Sequence, residues 1–198
     1  MNKTVQRNET REHLLATGEQ VCLQRGFTGM GLSEMLALAQ VPKGSFYHYF
    51  RSKEAFGVAL LERYFSHYLE QVEQQLSQPG LSARERLLNH FRYGERLFTE
   101  QGHIVGCLGV KLSAEVCDLS EPMRDALQHG ATAMIAAYAR CLNEMAAEQA
   151  LPYDQTPKQL AQRCYLLWLG ASLQSKISRE PGPISLALET IEQWLSGH

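Results

Sequence analysis

VPKGSFYHYFRSKEAF, residues 41–56, decides how the rest of the chain is read. It sets Tyr47, His48 and Tyr49 in a row, behind Lys43-Gly44-Ser45 and ahead of Arg51 and Lys53. A core helix has no use for so many polar tips, and a catalytic loop would carry an acid or nucleophile that this stretch does not display. Phe46 and Phe50 are four residues apart and share one helical face. That spacing predicts a short helix over 43–49, held to a core by the two phenylalanines, with Lys43, Gly44, Tyr47 and His48 turned outward. Pro42 suits the first position of this helix, where its missing N–H costs nothing. Gln40-Val41 makes a tight turn before it.

Upstream, Leu14, Leu15, Gly18, Cys22 and Leu23 give a first helix one buried face, and Gly26 ends it. Leu32, Met35, Leu36 and Ala39 do the same for a short second helix over 32–39. Two short helices joined by a tight turn and braced by a third make a helix-turn-helix, whose second member enters the DNA major groove. In that setting Lys43 adds charge at a helix start and Gly44 lets the backbone approach a phosphate. Tyr47 donates to phosphate or stacks on sugar, while Ser45 and His48 reach base edges. Lys53, near a helix N-terminus, makes a second phosphate clamp. Double-stranded DNA is the expected partner.

Downstream the pattern stays helical, and no strand-like alternation of useful length occurs. Ser52 caps a long helix reaching about residue 78, which Gln78-Pro79-Gly80 breaks. Ser82-Ala83-Arg84-Glu85 is a capping box for a helix to about residue 100. Gly102, Gly106 and Gly109 disturb the pattern around Cys107. Ser120 opens another helix, with Glu121 and Pro122 in its first turn, and Thr156-Pro157 starts an apolar one through about residue 177. Pro181-Gly182-Pro183 begins the last, with Ile184, Leu188, Ile191 and Leu195 on one stripe. The expected fold is all-α: a three-helix DNA-binding head over 1–55, joined by a long helix to a helical sensing and dimerisation domain over 56–198.

The 198 residues are 44% hydrophobic and 20% charged, as in a globular protein with a proper core. No apolar run approaches a membrane span, and the polar N-terminus lacks the apolar region of a signal peptide. A cytosolic protein without membrane contact is expected. Five cysteines, at 22, 107, 117, 141 and 164, are an odd number without a CxxC pair, and read as free thiols. Net charge is −2, but residues 1–63 carry +2 and the remainder −4, which permits phosphate binding at the N-terminal end. The seven histidines form no HxxxH pair, so no metal or cofactor is expected.

Arg25-Gly26-Phe27 followed by LSEMLALAQVPKGSFYHYFRSKEAF (32–56) resembles the N-terminal signature of the TetR family of bacterial repressors. The resemblance implies an all-α homodimer that binds a near-palindromic operator and lets go when a signal reaches its C-terminal domain. Gly44, Ser45, Tyr47 and Lys53 match the family pattern undisturbed. Met30-Gly31 stands where a Thr-Thr or Thr-Ser pair begins the second helix, and Gln40 and Pro42 replace a Gly and a Ser of the turn. Thr28 is the candidate to take over the missing hydroxyl contact to DNA.

The sensing half is read around GHIVGCLGVKLSAEVCDLSEPM, 102–123. Cys107 follows a glycine at the predicted start of a helix, where the partial positive charge favours thiolate. Lys111 lies four residues on, on the same face. Cys117 and Cys164 sit among apolar neighbours and read as ordinary buried cysteines. REHLLATGEQVCLQRGFTGMGLSE, GCLGVKLSAEVCDLSEPMR and LLWLGASLQSKISR extend the likeness to one subfamily, the N-ethylmaleimide-responsive repressors. This implies a cysteine-based sensor of electrophiles and oxidants such as quinones and reactive aldehydes, controlling reductive detoxification genes. The reactive position maps onto Cys107. Lys176, ending the apolar stretch 165–177, is expected to face Cys107 and lower its pKa.

The arc covered by Leu166, Leu167, Trp168, Leu169 and Leu173 is too wide for one core face, so the last two helices are expected to form a dimer. Two other classes stay open. One is a repressor with a non-covalent ligand held by Trp168, Phe91, Tyr93 and Phe98. The other is a thiol oxidoreductase with Cys107 attacking and Cys117 resolving. No catalytic residue is otherwise suggested.

Overall fold

Local chemistry at the helix ends lays out the chain. The computed structural model describes residues 3–101, 108–148, 151 and 155–196. Its elements, in chain order, are α1 (Lys3–Arg25), α2 (Leu32–Ala39), α3 (Lys43–Phe46), α4 (Lys53–Leu76), α5 (Ala83–Gln101), α6 (Leu108–Val116), α7 (Glu121–Glu148), α8 (Pro157–Ser178) and α9 (Gly182–Ser196). All are helices, and no strand occurs among the described residues. Gly26 stops α1 with φ +80, a conformation open to glycine at little cost. Ser52 Oγ accepts from the Ala55 N–H at 3.0 Å and caps α4. Before α5 the Ser82 N–H donates to the Glu85 carboxylate at 2.9 Å, and the Glu85 N–H donates back to Ser82 Oγ at 3.3 Å. Thr156 and Gln159 make the same reciprocal box at α8.

Two ends depart from the expectation. The helix expected over 43–49 closes at Phe46, because the N–H groups of His48 and Tyr49 bond three residues back, to Ser45 and Phe46. That tighter turn still brings both Phe46 and Phe50 inward, at 0% and 3% exposure. Pro42 is the N-cap rather than the first helical residue, with extended backbone and no side-chain cap bond.

The chain packs as two compact units. The first gathers Met1–His67 and Gly106–Gly130. Its core includes Leu14, Leu15, Cys22, Met30 and Met35, with Phe46, Phe50, Phe56 and Leu60. Leu108, Leu112 and Val116 of α6 and Met123 of α7 belong to the same cluster. Helices α2 and α3 are thus packed together with α6, a segment some 60 residues downstream of them in sequence. The second unit gathers Tyr68–Val105 and Ala131–His198. Leu87, Phe91, Tyr138, Leu142, Cys164 and Leu188 are among its core residues, together with Ile191 and Leu195 of the α9 stripe. Burial of these apolar side chains, each contributing roughly 1.5–3 kcal/mol, holds each unit together.

Candidate nucleic-acid interface

The helix-turn-helix is set by one strained residue and a group of aromatic rings. Gln40 takes the left-handed conformation, φ 55 and ψ 35, and its N–H bonds back to Ala37. The Val41 N–H returns to Leu36, closing α2 so that α3 can start in a new direction. Phe46, Phe50 and Phe56 then lock α3 and the start of α4 together, with ring centroids 5.0–5.5 Å apart.

What this scaffold leaves outward matches the polar tips of the opening stretch. Lys43, Gly44, Tyr47 and His48 are exposed, and Ser45 is half-buried. A Cβ at Gly44 would meet nothing within 4 Å, so that face is open to a partner. Lys53 is half-buried, its ammonium 4.9 Å from the centre of the Phe27 ring. Two cations of α1 extend the same surface. The Arg7 guanidinium reaches the His48 carbonyl at 3.4 Å, and Arg11 lies 5.5 Å from the centre of the Phe50 ring. Sequence reading passed over both, although their four-residue spacing on a helix is a usable signal.

Thr28 is placed differently from its neighbours. Its N–H and its hydroxyl both donate to Glu115 of α6, and the Phe27 N–H donates to the same carboxylate at 3.0 Å. One turn earlier on α6, the Lys111 ammonium donates to the Leu23 carbonyl at 2.5 Å. Burial works to raise the Glu115 pKa, but the bonds from Thr28 and Phe27, helped by Lys111, hold it below the ordinary carboxylate value. Nothing local in the sequence announces this pairing, whose partners are 87 and 88 residues apart.

The sensing residues divide. Cys107 lies outside the described residues, as do Gly102 and Gly106. Lys176 is exposed in the last turn of α8. Of the remaining cysteines, Cys22, Cys141 and Cys164 are buried. Burial pushes their thiols up to about 12, about 11 and about 12 respectively, far from thiolate at neutral pH. Cys117, expected to be buried, is half-buried. The aromatic residues considered for a ligand pocket mostly fill core: Phe91 and Phe98 are 0% and 2% exposed, and the half-buried Trp168 lies tilted against Phe91, ring centroids 5.0 Å apart. Tyr93 is exposed. No cluster of three or more metal-binding side chains occurs among the described residues. None of their helices is long and apolar enough to cross a membrane.

Comparison with known proteins agrees with this geometry. Residues 14–60 match the family described as bacterial regulatory proteins, tetR family, and residues 83–191 match the tetracyclin repressor-like C-terminal domain. The chain is 53% identical to the HTH-type transcriptional repressor NemR of Escherichia coli (strain K12), over 97% of this chain and 96% of that one. It is 32% identical to the HTH-type transcriptional repressor DhaR of Mycobacterium sp. (strain GP1), over 93% and 91% of the two chains. The crystal structure of E. coli NemR in its reduced form superposes with a TM-score of 0.90 at 51% identity, covering 96% of this chain and 98% of that one.

Proposed function

The chain belongs to the TetR family of bacterial regulatory proteins, as a transcriptional repressor closely related to NemR, and from that premise we propose that modification of Cys107 releases it from its operator. The modifying agents are electrophiles and oxidants: quinones, reactive aldehydes and N-ethylmaleimide-like compounds. The regulated genes are those of reductive detoxification. The likeness to NemR along nearly the whole chain carries this reading.

Thiol chemistry supports it. Three of the four described cysteines are buried and held as thiols, and so are poor nucleophiles. Cys107 stands among glycines and four residues before a lysine, the local sequence that favours thiolate. With a quinone or maleimide, the thiolate adds to an electron-poor alkene carbon. A C–S bond forms, the π electron pair moves toward the carbonyl, and a proton from solvent completes the adduct. Lys43, Gly44, Ser45, Tyr47, His48 and Lys53 hold the operator while the thiol is free. A dimer sets two such faces about one DNA turn, roughly 34 Å, apart.

The test is a gel-shift titration on DNA upstream of the protein's own gene, before and after N-ethylmaleimide or a quinone. Wild type is expected to bind and then release, and Cys107→Ser to stay bound. Equal release of the two proteins would remove Cys107 from the mechanism. Lys176, in this reading, stabilises the Cys107 thiolate. Lys176→Met is expected to slow alkylation several-fold near neutral pH and to shift the rate–pH profile upward. An unchanged rate and profile would reject that role.

A further inference from the structure

We propose that Glu115 is a positioning residue for operator binding: from α6 it grips the turn between α1 and α2 and couples α6 to the DNA-reading head. The proposal gives Thr28 a role other than the hydroxyl contact to DNA expected of it. Its N–H and hydroxyl are already given to Glu115, together with the Phe27 N–H. The carboxylate lies against Gly26, where a Cβ would sit 2.6 Å from Glu115 Oε2, so the turn's glycine also makes room for it.

The grip is two-handed. Lys111 and Glu115 are four residues apart on one face of α6. Lys111 takes the Leu23 carbonyl, one of the last-turn acceptors of α1 that the helix itself leaves unpaired. Glu115 takes donors just past the helix end. An ammonium and a carboxylate of one helix thus hold both sides of residues 23–28. Lys53, a candidate phosphate contact, packs over Phe27 in the same turn. Leu112 and Val116 place α6 in the head's own core, so a movement of α6 has no slack to absorb it. A displaced α6 therefore drags the turn that leads into α2 and carries Phe27, on which Lys53 of α4 packs.

Only one part of the test rests on the function proposed above. By linkage, if α6 biases the head, DNA on the head must act on α6. Hydrogen exchange is measured over residues 108–116 in the full-length protein, with and without a duplex selected by the wild type from random-sequence DNA. Exchange in wild type should slow several-fold when DNA binds. Glu115→Gln keeps the shape but turns an amide donor toward a turn made of donors, and this response should vanish. Thr28→Val should weaken the response and Thr28→Ser should retain it, which keeps the question answerable if the Glu115 variant folds poorly. A merely structural role would lower the melting temperature and leave the DNA response intact. An undiminished response in Glu115→Gln and Thr28→Val, or no response in wild type, overturns the proposal. The second part compares operator Kd before and after N-ethylmaleimide. Wild type should lose about tenfold or more, while Glu115→Gln, carrying the same adduct mass, should lose little. Equal losses count against the coupling. A wild type that loses nothing sinks the Cys107 reading and leaves the exchange result to judge Glu115.

Discussion

His90 sits in α5 at 6% exposure with both ring nitrogens engaged, Nδ1 with Gln75 Oε1 at 2.7 Å and Nε2 with the Tyr138 hydroxyl at 2.8 Å. A neutral ring satisfies all three groups, with Nδ1–H donating to Gln75 and the Tyr138 hydroxyl donating to Nε2. Burial pushes the Tyr138 phenol well above its ordinary value, so its proton is secure, and burial lowers His90 to about 4. The unfolded chain takes up this proton near 6.5. Below that pH the unfolded state binds more protons than the folded one. The stability tied to His90 is therefore complete above pH 6.5 and drains away as pH falls toward 4. Between pH 6.5 and 5 the loss is about 2 kcal/mol, from roughly 1.4 kcal/mol per pH unit. In urea melts, His90→Asn should start less stable at pH 7.5 yet lack this part of the acid decline. A parallel decline in both proteins would show that His90 is not the titrating group. None of this was legible in the sequence, where His90 is simply one histidine without metal spacing. Its partners lie 15 and 48 residues away, and only packing brings them together. Gln40 was half legible: the turn was clear, but the left-handed backbone at a non-glycine residue was not.

Helices were legible where their ends are written in local chemistry. Gly26, Ser52, the Ser82–Glu85 box and the Thr156-Pro157 start all act within four residues, and each sits where the sequence put it; the return bond from Gln159 that completes a box at Thr156 was not read there. The end of α3 was missed because the choice between four-residue and three-residue bonding is made by Phe46 and Phe50 seeking the core, not by a breaker residue. The place of α6 was missed for a related reason: Lys111 was read only with Cys107, and Glu115 looks like an ordinary surface charge until α1 is laid against it. Helix contacts also decide what a side chain would cost at two helical glycines. A Cβ on Gly57 of α4 would come within 2.6 Å of the Phe27 ring and 2.8 Å of the Met123 methyl. Met123 can yield, but Phe27 is held under Lys53. Overpacking of roughly 1–3 kcal/mol should outweigh the ~1 kcal/mol that alanine gains in helix propensity. Gly57→Ala should thus lose about 1 kcal/mol by denaturant titration, whereas Gly44→Ala, with open space around it, should fold at least as well as wild type. Equal stability of the two variants would mean that α4 shifts freely, against the tight packing described.

At the scale of the molecule, one chain leaves apolar surface that its own core does not use. Leu166, Leu173 and Ile177 of α8 are 55%, 47% and 67% exposed, and Leu186 of α9 is 64% exposed. Positions 166, 170, 173 and 177 fall on one stripe of α8, since steps of four, three and four residues return to the same helical face. Gly170 lies inside that stripe, and a Cβ there would meet nothing within 4 Å. A row of exposed leucine and isoleucine around a glycine is costly in water and well suited to close approach by a second helix. TetR regulators act as dimers. Of the wide arc read from the sequence, Leu166 and Leu173 are exposed, whereas Leu167, Trp168 and Leu169 are half-buried, and Ile177 and Leu186 were not part of it. Leu173→Glu combined with Ile177→Glu puts charge on the C-terminal half of the stripe without touching the buried α8 residues Leu160, Ala161 and Cys164. The variant should sediment as a monomer with unchanged helix content. Its operator affinity should fall by about two orders of magnitude or more, because a second half-site held at high effective concentration is worth roughly 10²–10⁴ in avidity. Binding to an isolated half-site should stay within a few-fold of wild type, since the reading face of α3 is intact. A variant that remains dimeric would move the interface elsewhere. A monomer with full affinity for the complete operator would show that one head suffices, and that pairing contributes nothing to the grip on DNA.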